Sequence, residues 1–323
     1  MIPWLVLLQA SLTIATSGPA TAPEYLPLWV AQGEGYFTQE HLNVSLVLTR
    51  SEPQAAEALG RGRADLAATS LDAALTVGDT GGRPPQVLFG LTATPAVVLL
   101  VPAARQDTIR RVNDLVGSTV GISAPGTPAE SMLLTLLAKA RVPVPKINVK
   151  SFGERGLVGA VESGEVVAAM MTDPYATRLI DSGKAVALVD LRKRSESERW
   201  LEGRDVYSAV FARADSRPGA GDLQSLCRAL LKAMARIESA TPDELRRTLP
   251  AATIGFPPAD FATRLLGARE IFLTDGRVTT DMLKASIALV RGRGPIPAKV
   301  KLPSASRLIL AEPLEAALEP SRR

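Results

Sequence analysis

Short, nearly continuous apolar runs alternate along the chain with longer stretches whose apolar positions recur every three or four residues. The runs predict strands over 11–16, 44–48, 64–69, 86–91, 96–102, 119–122, 147–151, 166–171, 185–190 and 206–212. The periodic stretches predict helices over 24–38, 53–60, 70–77, 127–141, 154–163, 174–182, 221–239, 242–248, 258–272 and 279–291. Strands that alternate with helices argue for an α/β chain with largely parallel sheets. The clearest helix is 221–239, where Leu223, Leu226, Leu230, Leu231, Met234 and Ile237 make one apolar stripe. Cys227 falls on that stripe and reads as a small buried hydrophobe. Met132, Leu133, Leu136, Leu137 and Ala140 make a similar stripe, which Pro143 and Pro145 terminate.

The chain echoes itself. Ala58-Leu59-Gly60-Arg61-Gly62 leads into Ala64-Asp65-Leu66-Ala67-Ala68. At an offset of 102 residues (Gly62 to Gly164), Ala160-Val161-Glu162-Ser163-Gly164 leads into Val166-Val167-Ala168-Ala169-Met170. Both segments read as a helix, a glycine in the left-handed position after it, and a buried strand. The strand at 11–16 with its Ser17-Gly18-Pro19 loop is matched by the strand at 119–122 with its Ala124-Pro125-Gly126 loop. Two such modules predict two similar lobes, although any two strand–loop–helix units share this grammar. The charge run Arg192-Lys193-Arg194-Ser195-Glu196-Ser197-Glu198-Arg199 reads as a solvated loop. A turn-rich break, Arg291-Gly292-Arg293-Gly294-Pro295-Ile296-Pro297, precedes a tail with one short helix near 311–318.

Composition narrows the function classes. At 323 residues and 46% hydrophobic, the chain is globular and longer than one core usually supports. A net charge of +4 from 37 basic and 33 acidic residues, interspersed in sign, does not suggest a nucleic-acid partner. One cysteine and one histidine, Cys227 and His41, exclude an intramolecular disulfide, a multi-thiolate zinc site and a histidine-rich metal site. No apolar run reaches the roughly 20 residues of a membrane span. Residues 1–10 are mostly apolar but lack a basic n-region, so they read either as the remnant of an export signal or as a short packed or disordered segment. A cut after Ala20-Thr21-Ala22 would remove the first strand.

In open α/β sheets, ligands bind beyond the carboxyl ends of the strands. Here those are the loops at 17–25, 49–53, 69–72, 92–95, 123–128 and 172–175. In Ser123-Ala124-Pro125-Gly126-Thr127-Pro128, Thr127 reads as a helix N-cap, Pro128 as the first helical residue and Glu130 as its capping partner. Such a helix start suits an anion or a polar oxygen, or serves as a cap alone. Ser70 is placed to cap the helix that begins at Leu71, and Asp173, with Pro174 as first helical residue, to cap the one after it. Arg50 and Tyr25 are a further charge and a further ring near these loops, for a ligand or for the surface and the core respectively. His41 lies in a polar bend. No G-x-S-x-G, P-loop, H-E-x-x-H or C-x-x-C is present, and no catalytic residue, cofactor or metal is expected.

Several blocks together carry a family resemblance. Tyr25-Leu26-Pro27-Leu28-Trp29-Val30-Ala31-Gln32-Gly33-Glu34-Gly35-Tyr36-Phe37, then Ala58-Leu59 to Asp65-Leu66-Ala67, then Val120-Gly121-Ile122 with Pro125-Gly126-Thr127, and Val161-Glu162-Ser163-Gly164 to Pro174 follow one another in a characteristic order. Over roughly residues 11–290 this resembles the ABC-transporter substrate-binding proteins of the nitrate/sulfonate/taurine type, relatives of the thiamine-pyrimidine-binding proteins. His41 stands where the family usually has glycine, and Thr127 where it usually has serine. The resemblance implies a two-lobed type II periplasmic-binding-protein fold, with mixed sheets flanked by helices and a ligand cleft between lobes. Lobe one would hold 11–95 and 207–295, lobe two 96–206, and the tail 296–323 would follow. It implies ligand contacts from Ser17, Gly18, Ser70, Thr92, Thr94, Pro125, Gly126 and Thr127, with Asp173 and Pro174 toward the hinge, and Tyr25 and Arg50 as added candidates. The implied protein is a periplasmic or otherwise extracytoplasmic monomer. It would capture a small solute, either an anion such as nitrate, a sulfonate or a carboxylate, which the helix-terminus argument favours, or a neutral pyrimidine, and deliver it to ABC permease subunits. A dehydratase-like enzyme on the same fold and a ligand-sensing module are the alternatives.

Overall fold

The computed structural model describes residues 11–77, 84–201, 205–292 and 302–319. Residues 1–10, with the export-signal expectation, lie outside the described residues, as does most of the turn-rich break. The strands are β1 Leu12–Thr16, β2 Val44–Leu48, β3 Leu66–Ser70, β4 Gln86–Thr92, β5 Val97–Pro102, β6 Thr119–Ile122, β7 Asn148–Ser151, β8 Ala168–Thr172, β9 Ala185–Asp190 and β10 Ser208–Ala212. They build two five-stranded mixed sheets, ordered β2-β1-β3-β10-β4 and β7-β6-β8-β5-β9.

The two orders are the same pattern. In each sheet the first three strands are parallel, and the fourth position is taken by an antiparallel strand arriving from the other sheet. β5 enters the second sheet directly after β4 leaves the first, and β10 returns after β9. The 102-residue echo is the sequence trace of this pattern, since it maps β3 onto β8. Ala67 pairs with Ala15 and Ala169 pairs with Gly121. Gly62 and Gly164, at φ +67° and +73°, end the preceding helices in the left-handed region.

Burial explains the texture of the strands. β3, β5 and β10 are buried throughout, so they read as unbroken runs of apolar and small residues. β2 and β7 lie at sheet edges and are largely exposed, so theirs are the weaker patterns. The Ala220–Ser239 helix lays its stripe on the first sheet's core, packed by the Leu26–Gly33 helix and by the tail helix Glu312–Leu318. Cys227 is buried there, and burial pushes its thiol up to about 12. Leu310 donates its N–H to Val87 O at 2.8 Å, tying the tail to β4.

Three expectations need correction. The helix expected over 24–38 is broken into a 3-10 turn Pro23–Tyr25, a helix Leu26–Gly33 and a short helix Tyr36–Gln39, with Gly35 left-handed at φ +71° between the last two. The helix expected over 258–272 ends at Ala268 and continues as a 3-10 turn, Arg269–Ile271. The charge run at 192–199 is not a solvated loop. All of it from Arg194 on is helical, in Arg194–Leu201, and Arg192 is buried. Its guanidinium bonds Asp173 at 2.6 Å and Asp190 at 2.8 Å, so local charge density hid a paired, desolvated arginine. Among the described residues no helix is long and apolar enough to cross a membrane.

Candidate functional site

The carboxyl ends of the parallel strands in each sheet lie on the edge from which the chain crosses to the other sheet, after β4 and after β9. A cavity of about 310 Å³ lies there. One wall comes from the first sheet's loops (Glu52, Pro53, Ser70, Asp72, Ala73, Thr76, Tyr207). The other comes from the start of the Pro128–Lys139 helix (Gly126, Thr127, Pro128, Glu130, Ser131, Leu134).

Glu52 opens the Glu52–Gly60 helix, where an acidic side chain suits the helix dipole and Pro53 fits the first turn. Its Oε1 accepts from Tyr25 Oη at 2.7 Å and from Tyr207 Oη at 2.9 Å, and the Ser70 hydroxyl also bonds its carboxylate. Burial raises the Glu52 pKa, and the three hydroxyls pull it back down. Burial, and then the Glu52 charge, push both phenols well above the ordinary tyrosine value, so they stay protonated donors. Ser70 Oγ accepts from Ala73 N at 3.3 Å, which is the expected helix cap.

On the opposite wall Thr127 is the N-cap of the Pro128–Lys139 helix. Its Oγ1 accepts from Glu130 N at 3.4 Å and donates to Ala124 O at 2.8 Å. Glu130 folds back, and its carboxylate accepts from Gly126 N at 2.6 Å. Gly126 is left-handed at φ +73°, which aims that amide at the carboxylate.

Of the twelve residues singled out from sequence, the cavity wall holds Ser70, Gly126 and Thr127. Pro125 is exposed on the same loop. Tyr25 is buried and acts on the cavity through Glu52. Ser17 is buried, its hydroxyl donating to Ala68 O at 3.0 Å. Gly18 packs on backbone, and a Cβ there would stand 2.4 Å from Thr49 O. Arg50 is exposed, its N–H held by Gln54 Oε1 at 3.1 Å. Thr92 shares a 2.7 Å hydrogen bond with Ser208, and Thr94 donates to Leu191 O at 2.9 Å, tying the two crossovers together. Asp173 accepts from Thr177 N at 3.0 Å and pairs with Arg192. Pro174 is the N-cap of the Tyr175–Asp181 helix and not its first residue, so Asp173 stands one position further out than expected.

Sequence reasoning missed Glu52 and Tyr207, the two groups that dominate one wall. Ser51-Glu52-Pro53 is legible as a helix start. That its carboxylate meets Tyr207, 155 residues away, depends on β10 returning to the first sheet.

Beside the cavity the two halves are braced. Glu24 accepts from Ala96 N, in the first crossover, at 2.8 Å, and burial lifts its pKa from 4.5 to about 7. Arg178 pairs with Asp260, and Lys193 Nζ lies 3.3 Å from Glu270 Oε1. A larger hollow, about 820 Å³, opens around Phe256, but its walls come only from residues 243–258 on the first sheet's side. It does not stand at any strand end. The described residues hold no cluster of metal ligands.

Known structures share this architecture. The aliphatic sulphonate binding protein SsuA of Escherichia coli superposes with a TM-score of 0.72 at 19% identity, over 94% of this chain and 99% of that one. The alkanesulfonate-binding SsuA of Xanthomonas axonopodis pv. citri, solved with MOPS, gives 0.65 at 22% identity, over 93% and 98%. The nitrate-binding protein NrtA of Synechocystis PCC 6803 gives 0.64 at 13% identity, over 96% and 90%. These likenesses establish the periplasmic-binding-protein fold, two mixed sheets flanked by helices. No curated protein sequence matches the chain. The NMT1/THI5-like family model matches residues 22–196, more than half of the sequence. The chain belongs to the NMT1/THI5-like family.

Proposed function

We propose that this protein is the extracytoplasmic solute-binding component of an ABC importer, and that it works as a monomer that closes two lobes on a small solute. The observation that carries this reading is the cavity itself, whose walls come half from each sheet. Lobe one comprises β1–β4 and β10 with their helices and the tail; lobe two comprises β5–β9 with theirs. The hinge is formed by the crossovers, at 93–96 and at the described parts of the return, 191–201 and 205–207. A solute that touches Ser70 and Tyr207 on one side and Gly126 and Thr127 on the other makes all its contacts only when the lobes are closed. It therefore shifts the population toward closure by its differential affinity. The closed surface is then what a permease recognises. SsuA and NrtA, which bind sulfonates and nitrate, support this role by their shared fold.

Binding accounts for the site better than catalysis does. The lone histidine, His41, is exposed and lines no part of the cavity, and the lone cysteine is buried in the core of lobe one. The cavity-side hydroxyls of Ser70 and Thr127 are engaged in capping. Isothermal titration with small anions and amines, paired with X-ray scattering, tests the reading. The expected result is saturable one-to-one binding with a fall in the radius of gyration. Saturable binding with no compaction, or chemical turnover of a bound solute, would overturn it.

A further inference from the structure

We propose that the cavity takes a small organic cation carrying an ammonium N–H, in place of the anion that helix N-termini alone would favour. This rests on the solute-binding reading and adds the charge class. Glu52 in lobe one and Glu130 in lobe two face the cavity from opposite walls. Among the described lining residues there is no lysine or arginine.

Glu52 is the stronger ground. The groups that hold its carboxylate in the described structure are the hydroxyls of Tyr25, Tyr207 and Ser70, all neutral. Neutral donors offset only part of the cost of withdrawing a carboxylate from water, and a cation beside it supplies the rest. The raised pKa of Glu52 reports the same deficit. An ammonium would favour the charged form, as an adjacent positive charge does.

The opposite wall argues against an anion independently. The amide at the start of the Pro128–Lys139 helix that an anion would claim, Gly126 N, is already bonded at 2.6 Å by the Glu130 carboxylate. That helix end carries its own negative charge. An incoming sulfonate or nitrate would have to displace Glu130 and then lie within reach of Glu52. Leu134, Pro53 and Ala73 offer apolar surface for the carbon part of the solute. A volume of about 310 Å³ is near the small end of ligand pockets, which suits a compact amine.

The test titrates the full chain with butylammonium, benzylammonium and putrescine, and in parallel with nitrate, methanesulfonate and acetate. Wild type, Glu52→Gln and Glu130→Gln are compared, each first checked for a cooperative thermal transition. At least one ammonium probe is expected to bind wild type saturably, and to bind Glu52→Gln about ten- to a hundredfold more weakly. Glu130→Gln should weaken it too and serves alone should Glu52→Gln fail to fold. Saturable binding of an anion with lobe compaction would leave the solute-binding reading standing and overturn the charge assignment. So would ammonium binding that both variants leave unchanged. Binding of neither class would overturn both.

Discussion

Glu24 sits one residue before Tyr25 on the Pro23–Tyr25 turn, and its carboxyl receives the Ala96 N–H of the first crossover. Burial is the main cause that lifts its pKa from 4.5 to about 7. Between those values the native protein keeps a proton that the unfolded chain has released. The native state binds more protons in that window, so this residue's contribution to stability falls as pH rises from about 4.5 to about 7, and stays low above it. Glu40, Glu244 and Glu270, whose pKa values are lowered, act in the opposite sense at lower pH. The difference between wild type and Glu24→Gln isolates the effect, because an amide oxygen still accepts from Ala96. Thermal unfolding at pH 5 and pH 8 should show the variant gaining on wild type as pH rises. An equal or shrinking difference would contradict the half-buried, proton-holding Glu24. None of this is legible in Pro23-Glu24-Tyr25, which reads only as a helix start. The partial burial of Glu24 comes from the Pro23–Tyr25 turn meeting β4 and the first crossover, a contact between distant segments.

At the scale of elements, local chemistry was the most readable. The capping of the Pro128–Lys139 and Leu71–Val77 helices by Thr127 and Ser70 follows from residue types and spacing, because a cap is made within one turn of chain. The inner strands β3, β5 and β10 follow from nearly continuous runs of apolar and small residues, which burial on both faces demands, whereas the exposed edge strands β2 and β7 are weaker patterns. What failed was the charge run at 192–199. Arg192 looks solvated beside Lys193 and Arg194, yet it is the buried clasp between Asp190 at the end of β9 and Asp173 at the end of β8. A Cβ at Gly267, in the Ala259–Ala268 helix, would lie 2.3 Å from Asp173 Oδ2, so the clasp also seats that helix. Arg192→Leu leaves the Asp173 carboxylate buried without its charge partner. A loss of about 3–5 kcal/mol is expected, read as a lowered denaturant midpoint. A loss under about 1 kcal/mol, the scale of an exposed pair, would show that this contact is not a clasp.

For the whole molecule, the echo between 58–68 and 160–170 signalled two like modules. The structure adds that they are two sheets of identical strand order, each completed by a strand from the other. That exchange of β5 and β10 makes the two crossovers lie side by side and brings Tyr207 to Glu52, which no local pattern encodes. Of the residues named from sequence, Ser70, Gly126 and Thr127 line the cavity, and the others lie in the core, on the surface or in the crossovers. Most hydroxyls at the strand ends are spent on internal bonds, and the acidic groups on the helix starts hold the walls. The most direct test of the account is amide nuclear magnetic resonance of the deuterated protein during titration with the ammonium and anion probes. For any probe that binds, the account predicts that amides of 70–76 in lobe one and 126–134 in lobe two shift together along one isotherm. Shifts confined to one lobe, or centred on the hollow around Phe256, would contradict it.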